Sequence, residues 1–300
     1  MKQEFYLPSS DGIHQLHCVR WVPQGEAWAV LQIVHGMAEH IGRYEEFGHF
    51  LAEQGVLVVG HSHLGHGLTA KNEEELGWFG EPDGNRLLIE DIHRLREQTQ
   101  IPGVPHFILG HSMGSFLTRQ YLGIHGEGLR GAVIMGTADI PGPVLKASQV
   151  LCRLLAAVKG WHHRSGLVGA MLADGLTRKY GLGWLSNNEE STQAYDADPR
   201  CGFRFTLNGC YNLFLGLDRA VSREVAGQVP REYPILFAAG AEDPVGANGR
   251  GVRAVRSRYR KHGARASLKL YPGDRHEILN ELDRKQVYED ILQWMNTNRT

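Results

Sequence analysis

Apolar residues recur along the chain in two alternating rhythms. Short, nearly continuous runs at 27–34, 56–60, 104–109 and 129–135 alternate with stretches of helical spacing. In the stretch 44–54, for example, Phe47, Phe50 and Leu51 line one side before Gly55 ends it. Nearly continuous apolar runs of this length predict strands buried on both faces, and helices of 10–15 residues between them predict βαβ units around a parallel sheet. Two short strands at 3–8 and 13–22, joined by Ser9-Ser10-Asp11-Gly12, predict a hairpin ahead of that sheet. A further helix is expected from about Asn85 to Gln98. The rhythm breaks at Thr137, and up to Gly216 only helical stretches and loops are expected, with a broad apolar face over 144–158. It resumes with strands at 233–239 and 266–271 and helices near 247–262 and 283–296. The expected fold class is therefore α/β, with a mostly parallel central sheet and helices on both faces. Residues 1–136 and 217–300 would form the core. Residues 137–216 would form an inserted helical cap over the carboxyl ends of the strands, where open α/β sheets bind ligands. A helical subdomain without a substrate role is the plainer alternative.

Composition narrows the function classes. A formal net charge of −1 and the lack of a basic stripe give no footprint for nucleic acid. Cys18, Cys152, Cys201 and Cys210 have no C-x-x-C spacing and are too few for a disulfide framework, so reduced thiols and a cytoplasmic location are expected. The N-terminal residues lack the apolar segment of a signal peptide. No stretch reaches the roughly 18 uninterrupted apolar residues of a membrane span.

The candidate chemistry begins at Gly110-His111-Ser112-Met113-Gly114, between a predicted strand and a predicted helix. Strand, G-x-S-x-G, helix is the setting of a nucleophile elbow, a strained turn whose flanking positions must lack a Cβ. No other serine in the chain has glycine two residues away on both sides. An activated serine needs a base and a carboxylate that orients the base, and the chain order serine, acid, histidine suits the elbow. Asp243 follows one late strand and His276 follows the next, so all three would meet at one rim. Glu242 is the rival acid, and Asp274, on the histidine's own loop, is a poorer one. Two backbone N–H groups would hold the oxyanion: Met113, after the nucleophile, and Met37, after the strand ending at His35-Gly36.

Together, His35-Gly36-Met37-Ala38-Glu39-His40 with Arg43-Tyr44, Gly65-His66-Gly67, the elbow, Asp243 and His276 resemble the monoacylglycerol lipase and lysophospholipase branch of the α/β-hydrolases. The resemblance covers about 1–136 and 217–300, and Asp198-Pro199 with 203–209 resembles the later part of such caps. It implies a cofactor-free hydrolysis of carboxylic esters of glycerol or glycerophospholipid. Two positions depart from it: Ser62 stands where relatives carry aspartate, and Leu279 replaces a polar residue that some monoacylglycerol lipases place near the glycerol head group.

Other features carry competing readings. Glu39 and Arg43 would bind a polar head group or form an ion pair at a helix start. The apolar face at 144–158 would line an acyl pocket, touch a membrane surface transiently, or simply be core. His61-x-His63-x-x-His66 comes close to a metal-hydrolase motif, but Gly65 fills the aspartate position and no ligand set follows, so no metal is expected. His162-His163 would be solvated. The expected partner is a small lipid ester, at a cytoplasmic or peripheral membrane location. A binding protein on the same fold with a vestigial triad and an aminopeptidase are the alternatives.

Overall fold

In the computed structural model, residues 1–81 and 83–300 are described. Eight strands form one sheet in the order β1-β2-β4-β3-β5-β6-β7-β8. They are β1 Lys2–Pro8, β2 Gln15–Trp21, β3 Ala29–Val34, β4 Val56–His61, β5 His106–His111, β6 Gly131–Met135, β7 Pro234–Gly240 and β8 Arg265–Tyr271. β1 and β2 form the expected hairpin, β2 runs antiparallel to β4, and β3 through β8 are parallel. The helices are α1 Glu45–Glu53, α2 Gly84–Thr99, α3 Met113–His125, α4 Gly142–Lys159, α5 Gly166–Gly169, α6 Ala173–Tyr180, α7 Glu189–Ala197, α8 Leu207–Val221, α9 Arg223–Gln228, α10 Arg250–Lys261 and α11 Arg284–Thr297.

The continuous apolar runs are explained by burial on both sides. Along β5, Phe107 and Leu109 join a cluster with Phe47 and Leu51 of α1 and Val287 and Ile291 of α11. Ile108, between them, faces the opposite layer with Leu88 and Ile92 of α2 and Phe116 of α3. Side chains alternate along a strand, so only an unbroken apolar run can fill both layers. The order of the strands reverses around β3, and the elbow follows β5, its neighbour, at the carboxyl end where such sheets bind ligands.

Among the described residues no strand lies between β6 and β7; α4 to α9 fill that interval. The expected cap boundary at Gly216 needs correction, because it falls inside α8, which continues to Val221. Leu213, Phe214, Leu217 and Ala220 keep one apolar face across that point, so nothing in the packing stops the helix there. The apolar face over 144–158 divides. Leu145 and Cys152 are buried, whereas Val144, Val150, Leu154 and Val158 are exposed. Among the described residues no helix is long and apolar enough to cross a membrane.

Candidate active site

Ser112 sits at φ 51°, ψ −119°, between β5 and α3. Two packing demands force this turn. A Cβ on Gly110 would strike the backbone of Gly114 and the Thr118 hydroxyl, and one on Gly114 would strike the carbonyls of Val34 and His35. A non-glycine residue at positive φ costs of order 1–3 kcal/mol, which the surrounding packing must offset.

The loops after β7 and β8 bring Asp243 and His276 to the same rim. The Nδ1–H of His276 donates to Oδ2 of Asp243 at 3.0 Å, and both residues are buried. That bond fixes the tautomer and leaves Nε2 as the unprotonated nitrogen. Burial alone would lower the His276 pKa, but the Asp243 charge and hydrogen bond outweigh it and raise the pKa above its ordinary value. Glu242, the rival acid, is exposed, and Asp274 makes no hydrogen bond to the ring among the described residues. Trp184 of the cap lies against the imidazole, with ring centroids 5.3 Å apart.

Ser112, His276, Met37 and Met113 line one cavity of about 410 Å³. Met113 is the first residue of α3, where a backbone N–H has no partner within the helix. Among the described residues neither its N–H nor that of Met37 has an acceptor. The loop carrying Met37 is held from several sides. Glu39 Oε1 accepts from the Gly36 N–H at 2.5 Å and from the Tyr44 hydroxyl at 3.0 Å. His66 Nε2 accepts from the N–H of Ala38, itself at φ 51°, at 3.3 Å, and Nδ1–H donates to the Leu64 carbonyl.

Glu39 and Arg43 form an ion pair at 3.0 Å, one of the two readings their spacing allowed, with a third member that the sequence did not indicate. Arg43 grips Glu277 through two bonds of 2.7 Å and lies over the Tyr195 ring of α7. Burial would raise both carboxyls. The His111 hydrogen bond and Arg43 charge hold Glu39 below the usual carboxylate range, and the Arg43 charge and hydrogen bond do the same for Glu277. Glu39 and Glu277 line the cavity, whereas Arg43 does not. The guanidinium is engaged in holding the loops, so the structure favours the ion-pair reading over a head-group ligand for Arg43. Glu277 could have been noticed as the residue next to His276. Its partner lies 234 positions away, however, and no local pattern encodes that.

The histidines of the cluster bond to one another and to the backbone, and among the described residues His61 Nδ1 and His63 Nε2 have no partner. His35, His61, His63 and His66 are fully buried; burial pushes His61 down to about 3 and His66 down to about 4. They are therefore uncharged near neutrality. His35 Nε2 accepts from the His63 N–H at 3.0 Å. Among the described residues, three potential metal-ligating atoms converge only at His40, Asp198 and Cys201. There Asp198 is already clasped by Arg200, and Nδ1 of His40 accepts from the Gly42 N–H. The Nε2–H of His40 donates to Asp198 at 2.9 Å, so the group ties the cap to the Met37 loop. Ser62, the departure from the resembling family, is buried and its hydroxyl has no hydrogen-bond partner among the described residues, and Leu279 is buried outside the cavity. His162 and His163 are exposed, with His162 stacked on Trp78.

A family model described as serine aminopeptidase, S33 (Hydrolase_4) matches residues 25–283. The chain belongs to this family of α/β-hydrolases. Within it, this hydrolase is similar to the monoacylglycerol lipases. It is 27% identical to mouse monoglyceride lipase over 97% of this chain and 89% of that one. It is 28% identical to the monoacylglycerol lipase of Mycolicibacterium smegmatis over 92% and 90% of the two chains. The fold is similar to that of a thermostable carboxyl esterase from Bacillus coagulans crystallised with glycerol, with a TM-score of 0.92, 30% identity, and 100% and 99% of the two chains covered.

Proposed function

We propose that this α/β-hydrolase is a serine esterase that cleaves carboxylic esters of lipids, of the monoacylglycerol lipase type. One observation carries the reading. Ser112, held at positive φ on the elbow, shares a cavity with His276, which is bonded to Asp243, and with Met37 and Met113, whose backbone N–H groups have no acceptor among the described residues.

In this mechanism the Ser112 Oγ attacks the acyl carbonyl and passes its proton to Nε2 of His276. Asp243 holds the imidazole and stabilises the imidazolium as it forms. The N–H groups of Met37 and Met113 receive the negative charge that develops on the carbonyl oxygen. His276 then protonates the departing alcohol, leaving an acyl-enzyme on Ser112. Water, deprotonated by the same imidazole, releases the fatty acid.

The rest of the lining supports a fatty acyl group. Phe116, Ile140, Met171, Leu213 and Leu217 are among its apolar members, and the titratable ones are Glu39, His111, Tyr195, His276 and Glu277. Glu39 and His111 bond to each other, and the His111 and His276 rings lie 4.9 Å apart, so these groups gather at one end. An aminopeptidase would need a carboxylate to pair with the α-ammonium of its substrate, and both carboxylates of the lining are already bonded to Arg43, which favours the ester reading. Ser112→Ala should lower kcat/KM toward a p-nitrophenyl acyl ester by several orders of magnitude, and fluorophosphonate labelling should disappear with it. Retention of more than a few per cent of the activity would overturn the proposal.

A further inference from the structure

The end of the cavity beside His276 carries an unbalanced charge. Glu39 and Glu277 both line it, and they share a single guanidinium, that of Arg43. Asp243 adds another carboxylate behind the imidazole. Among the described residues no lysine or arginine lines the cavity. The His111 hydrogen bond and Arg43 hold Glu39 ionised against the cost of burial, and Arg43 does so for Glu277. The leaving alcohol departs beside the imidazole that protonates it, and these carboxylates are close to that ring: Glu39 is bonded to His111, whose ring lies 4.9 Å from that of His276, and Glu39, Glu277 and His276 line the same cavity.

We infer that Glu277, acting with Glu39, is a charge filter for the alcohol half of the substrate: esters of uncharged or cationic alcohols are accepted, and esters whose alcohol carries a phosphate are rejected. The inference rests on the ester-hydrolase reading above. The physical basis is Coulombic. At an effective dielectric near 20, a unit charge at about 8 Å still changes a binding equilibrium by more than tenfold, and a cavity walled by protein is poorly screened by salt. Carboxylate oxygens also accept hydrogen bonds from polyol hydroxyls, whereas phosphate oxygens offer them no donor.

The experiment uses three octanoyl esters with a common acyl group: octanoylglycerol, octanoylglycerol phosphate and octanoylcholine. The readout is the ratio of kcat/KM between them, from which any loss common to all three cancels. The protein should prefer the glycerol and choline esters over the phosphate ester by about a hundredfold. E277Q, which keeps the side-chain length and one Arg43 contact, should narrow the gap between glycerol and phosphate about tenfold and lower the choline ester relative to glycerol. Glu277→Asp, which keeps the charge, should retain the preference; Glu277→Met replaces E277Q if the amide does not fold. A parent enzyme that cleaves the phosphate ester as readily as the glycerol ester would overturn the inference. So would an uncharged variant with unchanged ratios. Failure to cleave any ester, p-nitrophenyl butyrate included, would instead overturn the hydrolase reading.

Discussion

Gly114 and Gly142 each stand in the first turn of a helix, one directly behind Ser112 and the other at the start of the cap. A Cβ on Gly114 would run into the carbonyls of Val34, the last residue of the central strand β3, and of His35 directly after it, which cannot move alone. A Cβ on Gly142 would meet only Asp218 Oδ1 at 3.5 Å, an ordinary contact. The rim that holds Ser112 is thus set by close backbone approaches that admit one residue type. The cap is set by apolar helix faces such as that of α8, which many side chains of similar size would satisfy. The first region leaves a strict imprint on the sequence and the second a loose one.

The same substitution at both glycines should separate the two regions most widely. Gly114→Ala should cost about 1–3 kcal/mol of stability through overpacking and lower kcat/KM at least about a hundredfold, because Ser112 is displaced from its working position. Gly142→Ala should leave activity within about twofold and raise stability by roughly 0.5 kcal/mol, through the unfolded chain. Thermal denaturation and p-nitrophenyl ester kinetics read both effects. Equal effects at the two sites would remove the distinction.

This difference also governs how much could be read before folding was known. The elbow, the Asp243 and His276 positions and the Met37 loop follow from chain order and steric need, and the structure gathers them around one cavity. The Glu39–Arg43 pair was visible from its spacing of four. Glu277 and Tyr195 were not, because they reach Arg43 only through tertiary packing. The position of Trp184 against His276 was equally hidden. It depends on backbone bonds from His276 N–H to the Trp184 carbonyl and from Glu277 N–H to the Leu185 carbonyl, which any residue types could make. The expected boundary at Gly216 falls inside α8 for a related reason: the close approach of Asn85 and Gln120 gives that glycine a packing role, which is visible only in the tertiary structure.

A change within the cap should act on substrate choice rather than on chemistry. Met171 lines the cavity and is 46% exposed, so a larger side chain has room to turn partly outward without unfolding the cap. Met171→Trp should lower kcat/KM for a long-chain monoacylglycerol by about five- to tenfold, the scale of one lost apolar contact region, and change p-nitrophenyl acetate turnover by less than about twofold. A uniform loss across chain lengths would mean that the cap acts on the catalytic groups themselves.

The smallest effect on catalysis is expected where the two regions are joined. Glu281 accepts from the Asn187 N–H of the cap and from the Arg275 N–H of the His276 loop, and Asp274 lies beside it with one carboxylate oxygen buried and unpartnered. Burial, followed by the charges of Asp283 and Glu281, pushes the Asp274 carboxyl up to about 7. A carboxyl raised on folding favours the folded state most at low pH, below the unfolded value near 4. That contribution is lost as pH rises through about 7, where the folded group must finally ionise. Asp274→Asn removes the ionisation and keeps the shape. Its Tm should therefore exceed that of the parent by a few degrees at pH 8, and the advantage should shrink steadily as pH is lowered toward 4. Esterase activity at pH 8 should stay within about twofold, since among the described residues Asp274 makes no hydrogen bond to the His276 ring and does not line the cavity. An advantage independent of pH would trace the gain to packing rather than to charge. A large loss of activity would instead show that this junction, and not the glycine-tight rim alone, sets the position of the histidine.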